Sequence, residues 1–142
     1  MAFTYSKDER LYHKKLIAQL FEKGNRSISR FPFRFTWVEI KEERQEPFPV
    51  QAMFIVSKRN FPKASSRNRI KRQMRELYRV RKGELYEALG GTKHIALSCS
   101  YVSKTELNYA ELSSTFLQLF DQLKNEMAKD ASAPIHRADK NI

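Results

Sequence analysis

The stretch SSRNRIKRQMRELYRVRK, residues 65–82, sets the strongest condition on how this chain can fold, because it carries eight basic side chains and one acid. On a wheel of about 100° per residue, Ile70, Met74, Leu77 and Tyr78 gather on one side. Asn68, Arg72, Arg75 and Arg79 gather on the other, with Lys71 and Lys82 beside them. The spacing predicts a helix over residues 67–82 that docks by its apolar stripe and turns a row of guanidinium groups outward. Ser65 or Ser66 is expected to accept hydrogen bonds from the first free backbone amides. Electrostatics alone disfavours such a helix. Arg72, Arg75 and Arg79 are helical neighbours of like charge, which cost about 0.2–0.5 kcal/mol a pair. Arg67 and Arg69 sit at the positive end of the helix dipole.

The charge is concentrated as well as large. Net charge is +11, and residues 58–82 hold eleven Lys or Arg against Glu76 alone, so the rest of the chain is nearly neutral. A solvated surface helix mixes signs, whereas a one-signed row calls for a polyanion. Arginine supplies a planar fork matched to phosphate oxygens, and Asn68 can donate and accept beside it.

At 142 residues the chain fits one domain with a trailing end, and ten Phe and six Tyr supply an apolar interior. The single Cys99 excludes an internal disulfide and a multi-thiolate zinc site, and its run HIALSC marks it as a buried small residue. No apolar run approaches the ~20 residues that span a bilayer. The first residues lack the apolar segment of a secretory signal, so a cytoplasmic protein without membrane contact is expected.

Along the chain, HKKLIAQLFEKG predicts a short helix with Leu16, Ile17, Leu20 and Phe21 on one face and Gly24 at its end. FPFRFTWVEI alternates, with Phe33, Phe35 and Trp37 expected in the core and Arg34 and Thr36 on the opposite face; Pro32 belongs at its start or an edge. PVQAMFIVS reads as a central strand covered on both sides and paired with the first as a hairpin, the acidic KEERQEP being a solvated turn. KHIALSC predicts another strand. NYAELSSTFLQLFDQLKNEM predicts a helix, with Asn108 and Glu111 as a capping box and Leu112, Phe116, Leu119, Phe120 and Leu123 as its stripe. Residues 1–127 form the expected domain, and residues 128–142, without periodicity, a disordered tail. The fold class is α+β: a sandwich of one main sheet with helices.

FIVSKRNFPKASSRNRIKRQMRELYR, residues 54–79, resembles the protein subunit of bacterial ribonuclease P. Its signature is an Arg-Asn-Arg helix (Arg67, Asn68, Arg69, then Ile70, Lys71, Arg72 and Arg75), preceded by a Ser-Lys-basic step at Ser57, Lys58 and Arg59. The likeness covers roughly residues 10–125. It implies a mainly antiparallel sheet with three helices and a left-handed crossover at the basic helix. It also implies a holoenzyme in which a catalytic RNA with Mg2+ hydrolyses a phosphodiester to remove the 5′ leader of precursor tRNA; no obligate protein partner is inferred. By position, Arg67, Asn68, Arg69, Lys71, Arg72, Arg75 and Arg79 would meet the RNA subunit, with Asn68 near a metal ion and no catalytic residue in the protein. Ile17, Phe21, Arg34, Ser57, Lys58 and Arg59 would line the leader cleft. The chain departs from the family where an Asp-Phe pair is replaced by Leu16 and Ile17, which removes one stacking ring. Met53 and Ile55 also make the cleft more apolar.

Two other readings compete. A protein-only nuclease needs carboxylates gathered around metal ions; Glu39, Glu42, Glu43 and Glu46 cluster only in the expected turn, and His13, His94 and His136 lack ligand spacing. A non-catalytic ribosomal-protein-like or DNA-binding module would use the same basic helix. It is distinguished by competition between duplex DNA and folded RNA.

Overall fold

The computed structural model describes residues 9–11, 14–40, 48–90 and 93–132. In chain order the elements are α1 (Lys14–Leu20), β1 (Arg26–Arg30), β2 (Phe33–Glu39), β3 (Val50–Val56), α2 (Ala64–Ala88), β4 (Ile95–Tyr101) and α3 (Tyr109–Ser132). The sheet runs β1-β2-β4-β3. β1–β2 and β2–β4 are antiparallel, and β3–β4 is parallel with α2 as the crossover that a parallel pair requires.

This order corrects two expectations. β2 and β3 do not form a hairpin, because β4 lies between them; β2 instead folds back on β1 across Phe31 and a cis Pro32. β3 is an edge strand, not a central one. Its apolar run is explained by covering from the side: Arg10 bridges Ala52 and the Leu11 amide donates to the Ala52 carbonyl at 2.9 Å, so Val50, Gln51 and Ala52 are buried. Apolar continuity reports burial on both faces, and a flanking segment can supply that at an edge.

The β2 alternation sorts the sheet into two faces. Phe33, Phe35 and Trp37 are buried with Ile95, Leu97, Cys99 and Tyr101 beneath α2 and α3, where Phe116 meets Phe33 and Phe35 edge-on at 5.3 and 5.2 Å. Burial pushes the Cys99 thiol pKa well up, as expected of an inert core residue. On the other face α1 covers only part of the sheet, its Leu16 and Leu20 packing with Leu11, Ile40 and Ala96. Ile17 packs against this cluster too. Phe21 leaves the apolar face expected of it. α1 ends at Leu20 in tight turns (Phe21 amide to Ala18 carbonyl, 3.1 Å; Glu22 amide to Gln19 carbonyl, 3.2 Å), which swing the ring out to 63% exposure.

α3 opens on the capping box: the Glu111 amide donates to Asn108 Oδ1 at 2.9 Å and Asn108 Nδ2 to Glu111 Oε1 at 3.0 Å. It continues to Ser132, so residues 128–132 prolong a helix where the sequence pattern predicts a tail. Residues 133–142 and the acidic turn at 41–47 lie outside the described residues.

Candidate nucleic-acid interface

α2 is docked as its wheel requires: Ile70, Met74 and Tyr78 are fully buried and Leu77 nearly so. Its start differs from expectation. The residue before the helix is Lys63, extended and without a side-chain cap, so Ser65 and Ser66 fall inside the first turn. Arg67 does the local anchoring instead, one Nη donating to the carbonyls of Phe61 and Pro62, each at 2.9 Å. That guanidinium ties the loop from β3 to the helix.

The cationic row divides by what faces it. Arg69 is gripped by Glu106 through two bonds, Nε to Oε2 at 2.6 Å and Nη2 to Oε1 at 2.8 Å. This bonding raises the Arg69 pKa and holds the Glu106 carboxyl below the ordinary range. Glu106 is positioned by its own loop, where Tyr101 Oη donates to the Thr105 carbonyl at 2.7 Å and accepts from the Leu107 amide at 3.0 Å. Arg79 pairs with Glu76 at 2.9 and 3.0 Å, and Glu76 is likewise held low. By contrast Asn68, Lys71, Arg72 and Arg75 have no side-chain hydrogen bond or ion pair to any described residue. Lys58, Arg59 and Lys63 add three exposed cations just ahead of the helix.

Lys82 does not belong to the row. The helix has turned it inward, where it pairs with the fully buried Glu9, stands 5.6 Å from the Phe48 ring centroid, and shares Glu9 with Tyr86, whose hydroxyl donates at 2.5 Å. An i, i+4 wheel places Lys82 at the margin of both faces, and only the N-terminal segment crossing there decides between them. This cluster was not legible in the sequence, since Glu9 lies 73 residues away.

The partly covered sheet face carries a groove of about 550 Å3. Phe21, Lys23 and Asn25 form one wall, with Arg34, Thr36, Ser98, Ser100 and Val102 along the floor and far end. Of the residues assigned to a cleft by family likeness, Phe21 and Arg34 are there. Ile17 is not; it packs inward with the small core. Ser57, Lys58 and Arg59 follow β3 at the end of the sheet level with Val102, because Val56 is registered on Tyr101. The Ser57 hydroxyl accepts from the Arg59 and Asn60 amides at 3.0 and 3.2 Å and shapes that turn. Ser98 and Ser100 were missed, although the alternation in ALSCSY marks them: each polar residue sits opposite the core-facing Leu97, Cys99 and Tyr101.

Among the described residues, no three His, Cys, Asp or Glu side chains converge to hold a metal ion, and no helix is long and apolar enough to cross a membrane.

Comparison with known proteins places these features. The model of the family described as Ribonuclease P matches residues 5–124. The chain is 40% identical over 80 residues to the ribonuclease P protein component of Chlorobium phaeobacteroides, covering 56% of this chain and 55% of that one. To the corresponding Chlorobaculum tepidum protein it is 38% identical over 76 residues, covering 54% and 49%. The matched stretch thus spans about half the length of these curated relatives. In fold it is similar to the RNase P protein of Thermotoga maritima (TM-score 0.60, 20% identity, 82% of this chain and 96% of that one). The Staphylococcus aureus RNase P protein gives a TM-score of 0.58 at 18% identity, over 80% and 93%. With a match over residues 5–124 and the same α+β architecture, the chain belongs to the bacterial ribonuclease P protein family.

Proposed function

We propose that this chain is the protein subunit of ribonuclease P, a cytoplasmic endoribonuclease whose catalytic RNA matures the 5′ end of tRNA. One observation carries the reading: Asn68, Lys71, Arg72 and Arg75 lie off the buried face of an apolar-backed helix with no side-chain hydrogen bond or ion pair to a described residue. A folded RNA subunit offers phosphates for that row, and each neutralised phosphate releases condensed counterions. Arg69 contributes after exchanging Glu106 for phosphate, Arg79 stays paired with Glu76, and Arg67 orients the helix entry while offering its remaining N–H groups.

The groove takes the single-stranded leader of precursor tRNA. Phe21 supplies an exposed ring for stacking at its wall, and Arg34 with Lys23 supplies positive charge. Lys58 and Arg59 add exposed positive charge in the segment that joins β3 to α2, at the end of the sheet level with Val102. The protein contributes affinity and alignment, whereas phosphodiester hydrolysis falls to the RNA subunit and its magnesium. Among the described residues no carboxylate cluster accompanies Asn68, which by itself offers one amide oxygen toward an octahedral Mg2+ shell.

Reconstitution tests the reading. The purified chain mixed with a bacterial ribonuclease P RNA is expected to trim precursor tRNA at low magnesium, where neither component does so alone. Cleavage by the protein without RNA, or equal affinity for duplex DNA and the RNA subunit at one salt concentration, would refute it.

A further inference from the structure

The groove floor is built from hydroxyls, and this bears on which feature of a bound strand it reads. The floor lies on two adjacent cross-strand rungs, Ser29–Arg34–Ser100–Ile55 and Ser27–Thr36–Ser98–Met53, of which Arg34, Thr36, Ser98 and Ser100 line the groove. Residues of one strand in neighbouring rungs are about 6.8 Å apart, and all of them project from the same face. The face therefore presents five hydroxyls and one guanidinium. None of the five hydroxyls is hydrogen-bonded to a described residue. Ser98 is 2% exposed as a residue and lines the groove, so a bound strand meets little of it beyond its hydroxyl.

A floor that tracked phosphates would be lined with Lys and Arg, and one that stacked bases would carry rings. Here the cations and the aromatic Phe21 are at the walls and mouth, and the floor has a single Arg34. Hydroxyl groups both donate and accept, which matches the ribose 2′-hydroxyl, itself a donor and an acceptor and the feature that separates RNA from DNA. We infer that Ser98 and Ser100, flanked by Thr36 and Arg34, bind the 2′-hydroxyls of the leader and make the groove selective for ribose over deoxyribose. The inference rests on the leader occupying this groove, as proposed above. It makes the leader contact tolerant of base sequence, because the sugar edge is the same for every nucleotide.

The test uses the reconstituted holoenzyme and precursor tRNAs that share one body but differ in the leader: all-ribo, 2′-deoxy, 2′-fluoro, or none. The all-ribo leader is expected to bind about five- to tenfold more tightly than the deoxy leader, in keeping with one or two net hydrogen bonds. The 2′-fluoro leader, which keeps the ribose pucker but cannot donate, is expected to behave like the deoxy one. Ser98→Ala with Ser100→Ala should reduce the ribo/deoxy ratio to about twofold or less while thermal melting is unchanged, and Ser100→Thr should retain the ratio. Equal binding of ribo and deoxy leaders, or full recovery with 2′-fluoro, would overturn ribose recognition and leave the leader assignment standing. No gain from an all-ribo leader over a leaderless tRNA would overturn both.

Discussion

Replacing Arg72 and Arg75 together by Ala removes the part of the cationic row that no described acid grips by a hydrogen bond or ion pair, and its consequence for binding can be worked out. A phosphate contact contributes about 0.9 to the log–log salt slope on duplex and about 0.7 on single strands. Two lost contacts should therefore flatten the slope by about 1.4–1.8, and between about 50 and about 200 mM salt the affinity gap between wild type and variant should close by roughly tenfold. The fold itself should not suffer. Both side chains are outside the core, and the Arg72–Arg75 like-charge contact that is removed costs about 0.2–0.5 kcal/mol in a helix, so melting should be unchanged or slightly higher. A control comes from the same helix: Arg79→Ala with Glu76→Ala deletes an internally neutral pair and should leave the slope nearly unaltered. Anisotropy titrations of the RNA subunit over a salt series measure all of this. An unchanged slope in the Arg72/Arg75 variant, or the same flattening in the Arg79/Glu76 control, would refute the division of the row into free and paired cations.

Glu106→Gln frees Arg69 from its two-bond partner and should tighten RNA-subunit binding by about two- to fivefold, the range of an exposed ion pair; weaker binding in a filter assay would contradict this. Glu76, Glu84 and Glu106 all have carboxyl pKa values lowered from the ordinary 4.5 by their cationic partners, so the unfolded chain binds more protons there. Their stabilisation is complete above about pH 4.5 and is lost as pH falls through the lowered values, and urea midpoints across that window should drop less steeply when all three are Gln. Lys82→Met leaves Glu9 buried without its ammonium and should cost about 3–5 kcal/mol in chemical denaturation, whereas Glu9→Leu with Lys82→Met should recover most of it. A double variant no better than the single would show that the segment around Glu9 is held by something other than charge.

Several elements could be read residue by residue. The period of Ile70, Met74, Leu77 and Tyr78 located the buried face of α2, the alternation from Phe33 to Trp37 separated core from groove, and Asn108 with Glu111 marked the start of α3. Each signal is local: a side chain's direction follows from helix or strand geometry within a few residues. Strand order was not legible, because PVQAMFIVS is equally apolar whether it is covered by two strands or by one strand and residues 10–11. Phe21 shows the same limit at shorter range. Its spacing put it with Leu16 and Leu20, and the turn after Leu20 took it to the groove.

For the candidate site, sequence alone determined that a helix with one apolar face would carry a one-signed cationic row, since both properties follow from composition and a 3.6-residue period. Tertiary structure decided which of those charges stay available. Glu106, Glu9 and the Phe61 and Pro62 carbonyls are brought to Arg69, Lys82 and Arg67 by loops and a distant segment, leaving Lys71, Arg72 and Arg75 outward. The neutralising partner of a charge can come from anywhere in the chain, because Coulomb attraction depends on separation in space.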